Sequence, residues 1–252
     1  WSSDVCSSDL GLLFKNDQLL LILISGILGA ARTVYMYTGS LYFAKYVLGN
    51  EAVYSILTIL VVPGGAIATV LIPWFTKHFG KKNTYIYVHV LGAVVMFAMY
   101  FIGRNGGYNN SSNLLWLAIG FVLLGLPQGI NNVITYAMIG DTVEYLEWKT
   151  GERAEGICFS MQTFINKISM AVGAFIGVMA YGISGISPSD PYNTVTPEGS
   201  EKLWAVLILS GAISMVATII PMLFYKVTES KQREYVKEIE ERKAAKAAKT
   251  AE

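Results

Sequence analysis

Lys167 lies about eleven residues into an apolar run that opens at Gly156, roughly 17 Å along a helix. An ammonium placed that deep in a bilayer costs about 2.5–3.5 kcal/mol on insertion scales, so such groups normally face water or a ligand. Gln162, Thr163, Asn166 and Lys167 follow one another at i, i+1, i+4 and i+5, which is read as one helix face. A second polar row, Gln128, Asn131, Asn132 and Thr135, comes just past Pro127. Amides and hydroxyls are neutral donors and acceptors, suited to a polyhydroxylated ligand with many OH groups and little charge. The competing use of the second row is hydrogen bonding between helices, and the competing reading of Lys167 is a lysine that snorkels to an interface. Arg32 is also deep, beside Thr33 and Tyr35. It either meets a ligand or pairs with a carboxylate from outside this chain. His89 is read as structural and close to a membrane interface. No nucleophile–base pair or metal-ligand cluster appears, so neither an enzyme nor a metal site is expected. Two cysteines, Cys6 and Cys158, support neither a disulfide framework nor zinc.

Groups at that depth need membrane-spanning helices to carry them. The chain has 252 residues, 53% hydrophobic and only 15% charged, where a soluble domain has about 25% charged. Its apolar residues come in long runs, which points to an all-α, multi-pass membrane protein. The net charge of +1 offers no basic field for nucleic acid. Residues 1–10 are polar and repetitive. They resemble a translated sequencing adapter and are set aside, so the chain is expected to be part of a longer protein. Residues 11–228 are expected to form the membrane bundle and 229–252 a charged, solvated tail.

Six spans are predicted. The first runs from Asn16-Asp17 to about Leu48, long enough that a tilt or break is expected. The second covers about Ala52 to Phe75, interrupted by Pro63-Gly64-Gly65. The third covers about Thr84 to Gly103. The fourth runs from Asn113 to about Tyr145, with Pro127 as a second interruption. The fifth covers Gly156 to about Ser184, with a packing motif at Gly173-x-x-x-Gly177. The sixth covers Leu203 to Tyr225. Lysines and arginines concentrate on one side, at Lys15, Lys77, Lys81, Lys82, Lys149, Arg153, Lys226 and the tail. Both ends are therefore predicted to be cytoplasmic. The loop after the fourth span, Gly140 to Gly156, mixes Asp141, Glu144, Glu147 and Glu152 with Lys149 and Arg153. That mixture suits an ionic latch between domains or an ordinary solvated turn. Interrupted helices in both halves of a three-plus-three arrangement fit a transporter binding region.

At this loop the sequence resembles the glycoside–pentoside–hexuronide:cation symporters, the melibiose-permease group of the major facilitator superfamily. The resemblance rests on Asp141-Thr-Val-Glu-Tyr, on Glu147-Trp-Lys-Thr-Gly-Glu-Arg-Ala-Glu-Gly156 and on Ser160-x-Gln162-Thr163-x-x-x-Lys167. Lys15-Asn-Asp-Gln-Leu19 resembles the start of that family's seventh helix. The resemblance covers about Gly11 to Glu240. It implies the C-terminal six of twelve helices, in a bacterial inner membrane, with an N-terminal six-helix half as partner. It also implies uptake of a glycoside, pentoside or hexuronide with Na+ or H+, through alternating access. No cofactor is implied, and the coupling-cation site belongs mainly to the N-terminal half. Gln162, Thr163 and Lys167 match sugar-cavity positions. Asp141, Glu144 and Arg153 match charged positions of the cytoplasmic gate, expected to pair with loops of the other half. The polar rows add Gln128, Asn132, Thr135 and Arg32 to the expected substrate-binding set. Asn132 stands where the melibiose-type pattern has an aromatic residue, which points to a different sugar. Two other readings use the same spans: a carrier for a lipid or drug, and a non-transporting membrane scaffold or sensor.

Overall fold

The computed structural model describes residues 11–250, apart from 37, 105–107, 109 and 188. Residues 1–10, set aside above, lie outside the described residues. Among the described residues the regular structure is helical, without a strand. Five helical stretches are long and apolar enough to cross a membrane, and one of them is folded double, giving six crossings.

Helix α1 (Asp17–Leu28) starts at Asn16, whose side chain accepts from the Leu19 amide and donates to the Thr142 carbonyl at 2.9 Å. It ends at Gly29, and a 3-10 segment (Ala30–Met36), a short helix (Thr38–Tyr42) and a π turn (Phe43–Val47) complete the first crossing. This is the break its length called for. Arg32 sits in the 3-10 segment and turns its guanidinium back onto the Gly29 carbonyl, satisfying a group left open at the helix end.

Helix α2 (Ala52–Arg104) holds two crossings joined at one residue, Gly80, with φ 77° and ψ 162°. That conformation is closed to residues with a Cβ. Its first arm runs parallel to α3 (Ser111–Thr150), because Val61 and Gly64 lie against Val122 and Gly125, and Gly65 lies against Gly129. Its second arm runs antiparallel to α3, with Gly92 against Pro127 and Met99 against Gly120. Gly80 therefore reverses the chain.

The expected interruptions at Pro63-Gly64-Gly65 and Pro127 are not there: both helices pass through unbroken. A proline ring removes one backbone bond, and membrane helices tolerate that when neighbours cover the site. The glycines serve packing. A Cβ on Gly125 would run into the Val61 carbonyl oxygen, so the two backbones touch where Gly64 and Gly65 cross Gly125 and Gly129. The packing motif predicted at Gly173 and Gly177 is buried in α4 (Glu155–Ile183).

Helix α3 does not stop near Tyr145. It runs on to Thr150, about 60 Å in all, and closes at Gly151. The predicted loop from Gly140 is thus mostly helix, and only 151–154 connect it to α4. Helix α5 (Pro197–Leu223) packs antiparallel to the second arm of α2, with Met215 near Gly92 and Trp204 near Gly103.

The tail is not solvated throughout. Helix α6 (Glu229–Thr250) lies on the last turns of α3. Tyr235 packs against Trp148 at 4.6 Å with the rings tilted by 34° and meets Tyr145 at 5.7 Å, and Ile239 is buried with it. Burial, with the carboxylates of Glu234, Asp17 and Glu238 nearby, pushes the Tyr235 phenol up. Along the helix Glu238 and Arg242 pair at 3.1 Å, and Lys237 and Glu241 approach to 3.9 Å. Glu229 accepts from the Lys81 amide.

The apolar interior falls into two clusters. One, toward the Gly80 end, includes Leu19, Ile22, Ile134, Met138 and Tyr225. The other, toward the Arg104 end, includes Val34, Met96, Met99, Phe121 and Trp204. Between them lies a polar layer. The Ser25, Tyr85 and Thr218 hydroxyls bond one another at 2.8–3.1 Å. Beside them His89 stacks on Tyr85 at 4.1 Å and donates from Nδ1 to its carbonyl at 2.7 Å. His89 is fully buried in this layer and not near an interface, which corrects its expected depth.

Candidate functional site

The polar layer opens sideways into two adjoining recesses that share Gln128 and Asn132. One, of about 260 Å³, is lined by Arg32, Thr33, Gln128, Asn132, Asn166, Ser169 and Met170. The other, of about 410 Å³, lies between α3 and the first arm of α2. Its walls are Val61, Val62, Gly65, Ala66 and Val133, with the hydroxyls of Thr58 and Thr69. Three separate crossings thus bring Arg32, Gln128, Asn132 and Asn166 to one place, although they are far apart in sequence. Every group on these walls able to hydrogen-bond is neutral except the Arg32 guanidinium.

Several of these groups lack partners. Arg32 is 7% exposed, and its Nε has no hydrogen-bond partner among the described residues. The buried Ser169 Oγ and Gln162 Oε1 are unpartnered as well. A buried donor or acceptor left open costs about 1–3 kcal/mol. Arg32 and Ser169 both line the smaller recess, with these two atoms themselves buried behind its wall.

The expected faces are only partly realised. Gln162 is buried, and its amide donates to Asn166 at 3.3 Å. Thr163 and Lys167 are exposed and do not line either recess. At about 100° per residue, Lys167 stands roughly 160° around the helix from Ser169. The spacing i to i+5 is therefore too wide for one face, and the expected row splits between the packed side of α4 and its outer side. Lys167 makes no ion pair with any described residue. On α3, Gln128 and Asn132 reach the recess, whereas Thr135 and Asn131 turn into the packed interior and approach each other at 3.4 Å. Thr135 is thus a seam residue in this bundle. Ser169 was missed, though it stands at i+3 from Asn166 and repeats its face.

The charged residues at the Gly80 end have partners inside this chain. Asp141 is 7% exposed and accepts from the Lys81 ammonium through both oxygens, at 2.7 and 2.6 Å. Glu144 accepts from the Gln232 amide. Arg153 donates to Glu147 at 2.7 Å and to Glu155, and Lys243 reaches Glu147 at 2.7 Å. The continuation of α3 to Thr150 places these residues against the Gly80 turn and α6. Lys82 donates to the carbonyls of Leu223 and Tyr225, closing the C-terminal end of α5.

A family model described as MFS/sugar transport protein matches residues 6–229. The chain belongs to this family. It is 30% identical to an Escherichia coli (strain K12) protein whose proposed role is sulfoquinovose import, over 92% of this chain and 47% of that protein. It is 26% identical to an Escherichia coli (strain K12) glucuronide carrier protein homolog, over 91% of this chain and 48% of that protein. It is 27% identical to the raffinose carrier protein of Pediococcus pentosaceus, over 90% of this chain and 34% of that protein. The chain spans about half the length of the first two. The family match and the six apolar crossings make it a multi-pass membrane protein with half of a major facilitator fold.

Proposed function

We propose that this chain is the C-terminal half of a sugar:cation symporter of the bacterial inner membrane, with both ends in the cytoplasm. It takes up a glycoside, pentoside or hexuronide together with Na+ or H+. The observation that carries this reading is the recess shared by Arg32, Gln128, Asn132 and Asn166 at the polar layer. Its amide and hydroxyl groups match a polyhydroxylated solute, and its depth matches a midplane site. The relatives' names, which are those of sugar carriers, support the same class.

In this mechanism a second six-helix bundle covers the open side of the recess and brings the cation site. The two bundles rock about the bound sugar, exposing it to each side in turn. Gln128, Asn132 and Asn166 hold hydroxyls. Gln162 positions Asn166, and the outward-facing Thr163 and Lys167 meet the second bundle across the pathway. Asp141, Glu144 and Arg153 keep the cytoplasmic end of this bundle rigid while it moves.

The test is uptake of a panel of radiolabelled sugars by vesicles containing the full-length protein, with and without a Na+ or H+ gradient. Accumulation of at least one sugar that collapses with the gradient is expected, and Asn132→Leu should reduce it about 5–150-fold, since the loss of one polar contact to a buried hydroxyl is worth about 1–3 kcal/mol. The absence of gradient-driven accumulation for every sugar would refute the reading.

A further inference from the structure

We infer that the solute held in this recess is an anion: a sugar derivative whose carboxylate or sulfonate is bound by Arg32. This rests on the transport reading above and specifies the solute's charge and orientation.

The first support is the distribution of charge. Residues 18–50, 52–140, 156–189 and 202–228 contain no Asp or Glu. Every carboxylate among the described residues therefore lies toward the ends of the crossings, away from the polar layer. The charged side chains at that level are cationic: Arg32 in the wall and Lys167 on the flank of α4. His89, also in the layer, is buried with its Nδ1 proton committed to the Tyr85 carbonyl.

The second support is the state of Arg32. A guanidinium carries five N–H donors in a planar fork shaped for two oxygens of one anion. Here its single hydrogen bond among the described residues goes to the Gly29 carbonyl three residues back, at 2.7 Å, and its Nε is buried and open. A buried cation without a counter-ion is costly, and an anion supplied by the solute removes that cost on binding. Ser169 lines the same recess, with its hydroxyl buried behind the wall and unpartnered.

The adjoining recess sets the orientation. Its walls carry no charge and are largely apolar at Val61, Val62, Ala66 and Val133. The acid group sits at Arg32, the ring hydroxyls at Gln128 and Asn132 on the shared wall, and the uncharged end of the solute beside the first arm of α2.

The experiment measures ligand-induced changes in the melting temperature of the purified full-length protein. Three ligands are compared: methyl β-D-glucuronide, 6-deoxy-6-sulfoglucose and neutral methyl β-D-glucoside. At least one anion is expected to bind about tenfold more tightly than the neutral glycoside, read from the concentration dependence of the shift. A response to the glucuronide alone identifies a carboxylate, and a response to the sulfo sugar alone identifies a sulfonate. Arg32→Gln should lower anion affinity by about 10–100-fold and abolish the native preference for the anion over the neutral glycoside, with Arg32→Lys intermediate. Equal or tighter binding of the neutral glycoside by the native protein overturns the inference, and this comparison needs no variant to fold. So does the absence of a shift with both anions. Gradient-driven uptake of neutral sugars alone would overturn the anion assignment and leave the transport reading standing.

Discussion

Replacing Asp141 with alanine tests whether the charged end of this bundle is an internal brace. The Lys81–Asp141 contact is 2.6 Å, with side-chain exposures of 25% and 9%. Its gross Coulomb attraction at an effective dielectric of 20 is roughly 6 kcal/mol. Desolvation of the two ions offsets most of that, so the net gain over an apolar pair is small. Removing only the carboxylate leaves the Lys81 ammonium half-buried and unpaired. Full burial would make that cost about 3–5 kcal/mol, and the remaining solvent access reduces it to about 2–3 kcal/mol. The full-length protein in detergent, taken as about twice the length of this chain, should then melt roughly 2–3 °C lower. The decisive arm is the reversed pair, Lys81→Asp with Asp141→Lys. An internal brace predicts that the reversal recovers at least half of the lost melting temperature, and sugar uptake with it. A melting temperature for Asp141→Ala within about 1 °C of native would refute the argument. So would a reversed pair as damaged as the sum of its single changes, because Asp141 would then answer to a partner outside this chain.

Gly125→Leu should prevent the first arm of α2 from seating on α3. Overpacking alone costs about 1–3 kcal/mol, and here the added carbon meets a backbone oxygen, so recovery of monodisperse protein should fall severalfold; an unchanged yield would count against the close crossing. Tyr235→Ala removes the ring between Trp148 and Tyr145. At about 2–3 kcal/mol it should raise tryptic cleavage within α6 by on the order of 30–150-fold, and an unaltered cleavage rate would mean that α6 is not held there. Cys158 is fully buried, so N-ethylmaleimide should label it only after denaturation. Introduced on a Cys158→Ser background, Asn132→Cys should react with a hydrophilic thiol reagent and be protected by a bound sugar. Rapid native labelling of Cys158, or an inert cysteine at 132, would contradict the burial described above.

The six crossings were legible because bilayer thickness sets the length of an apolar run, and the depth of Arg32, Gln128, Asn132 and Lys167 followed from counting residues. Their direction did not follow. A row of polar residues defines an angle on a helix, but not which neighbour that angle meets. Lys167 and Thr135 show this, for one falls outside the recess and the other inside a seam. Pro63-Gly64-Gly65 and Pro127 were misread because proline and glycine have two uses in a membrane helix. They can break it, or they can let another backbone come close, and only the partner helix distinguishes the two. The docking of α6 carried a faint signal in the pair Tyr235 and Ile239, one turn apart. It was masked by the charges around them, several of which turn out to bind α3.

The single-residue corner at Gly80 has a mechanical consequence. Both arms of α2 pivot on it, Lys81 ties it to α3 through Asp141, and Glu229 ties it to α6 through the Lys81 amide. Four chain segments therefore meet at one joint without slack. A displacement of any one of them is passed to the other three as torque, so this assembly behaves as one stiff lever whose far end travels farthest.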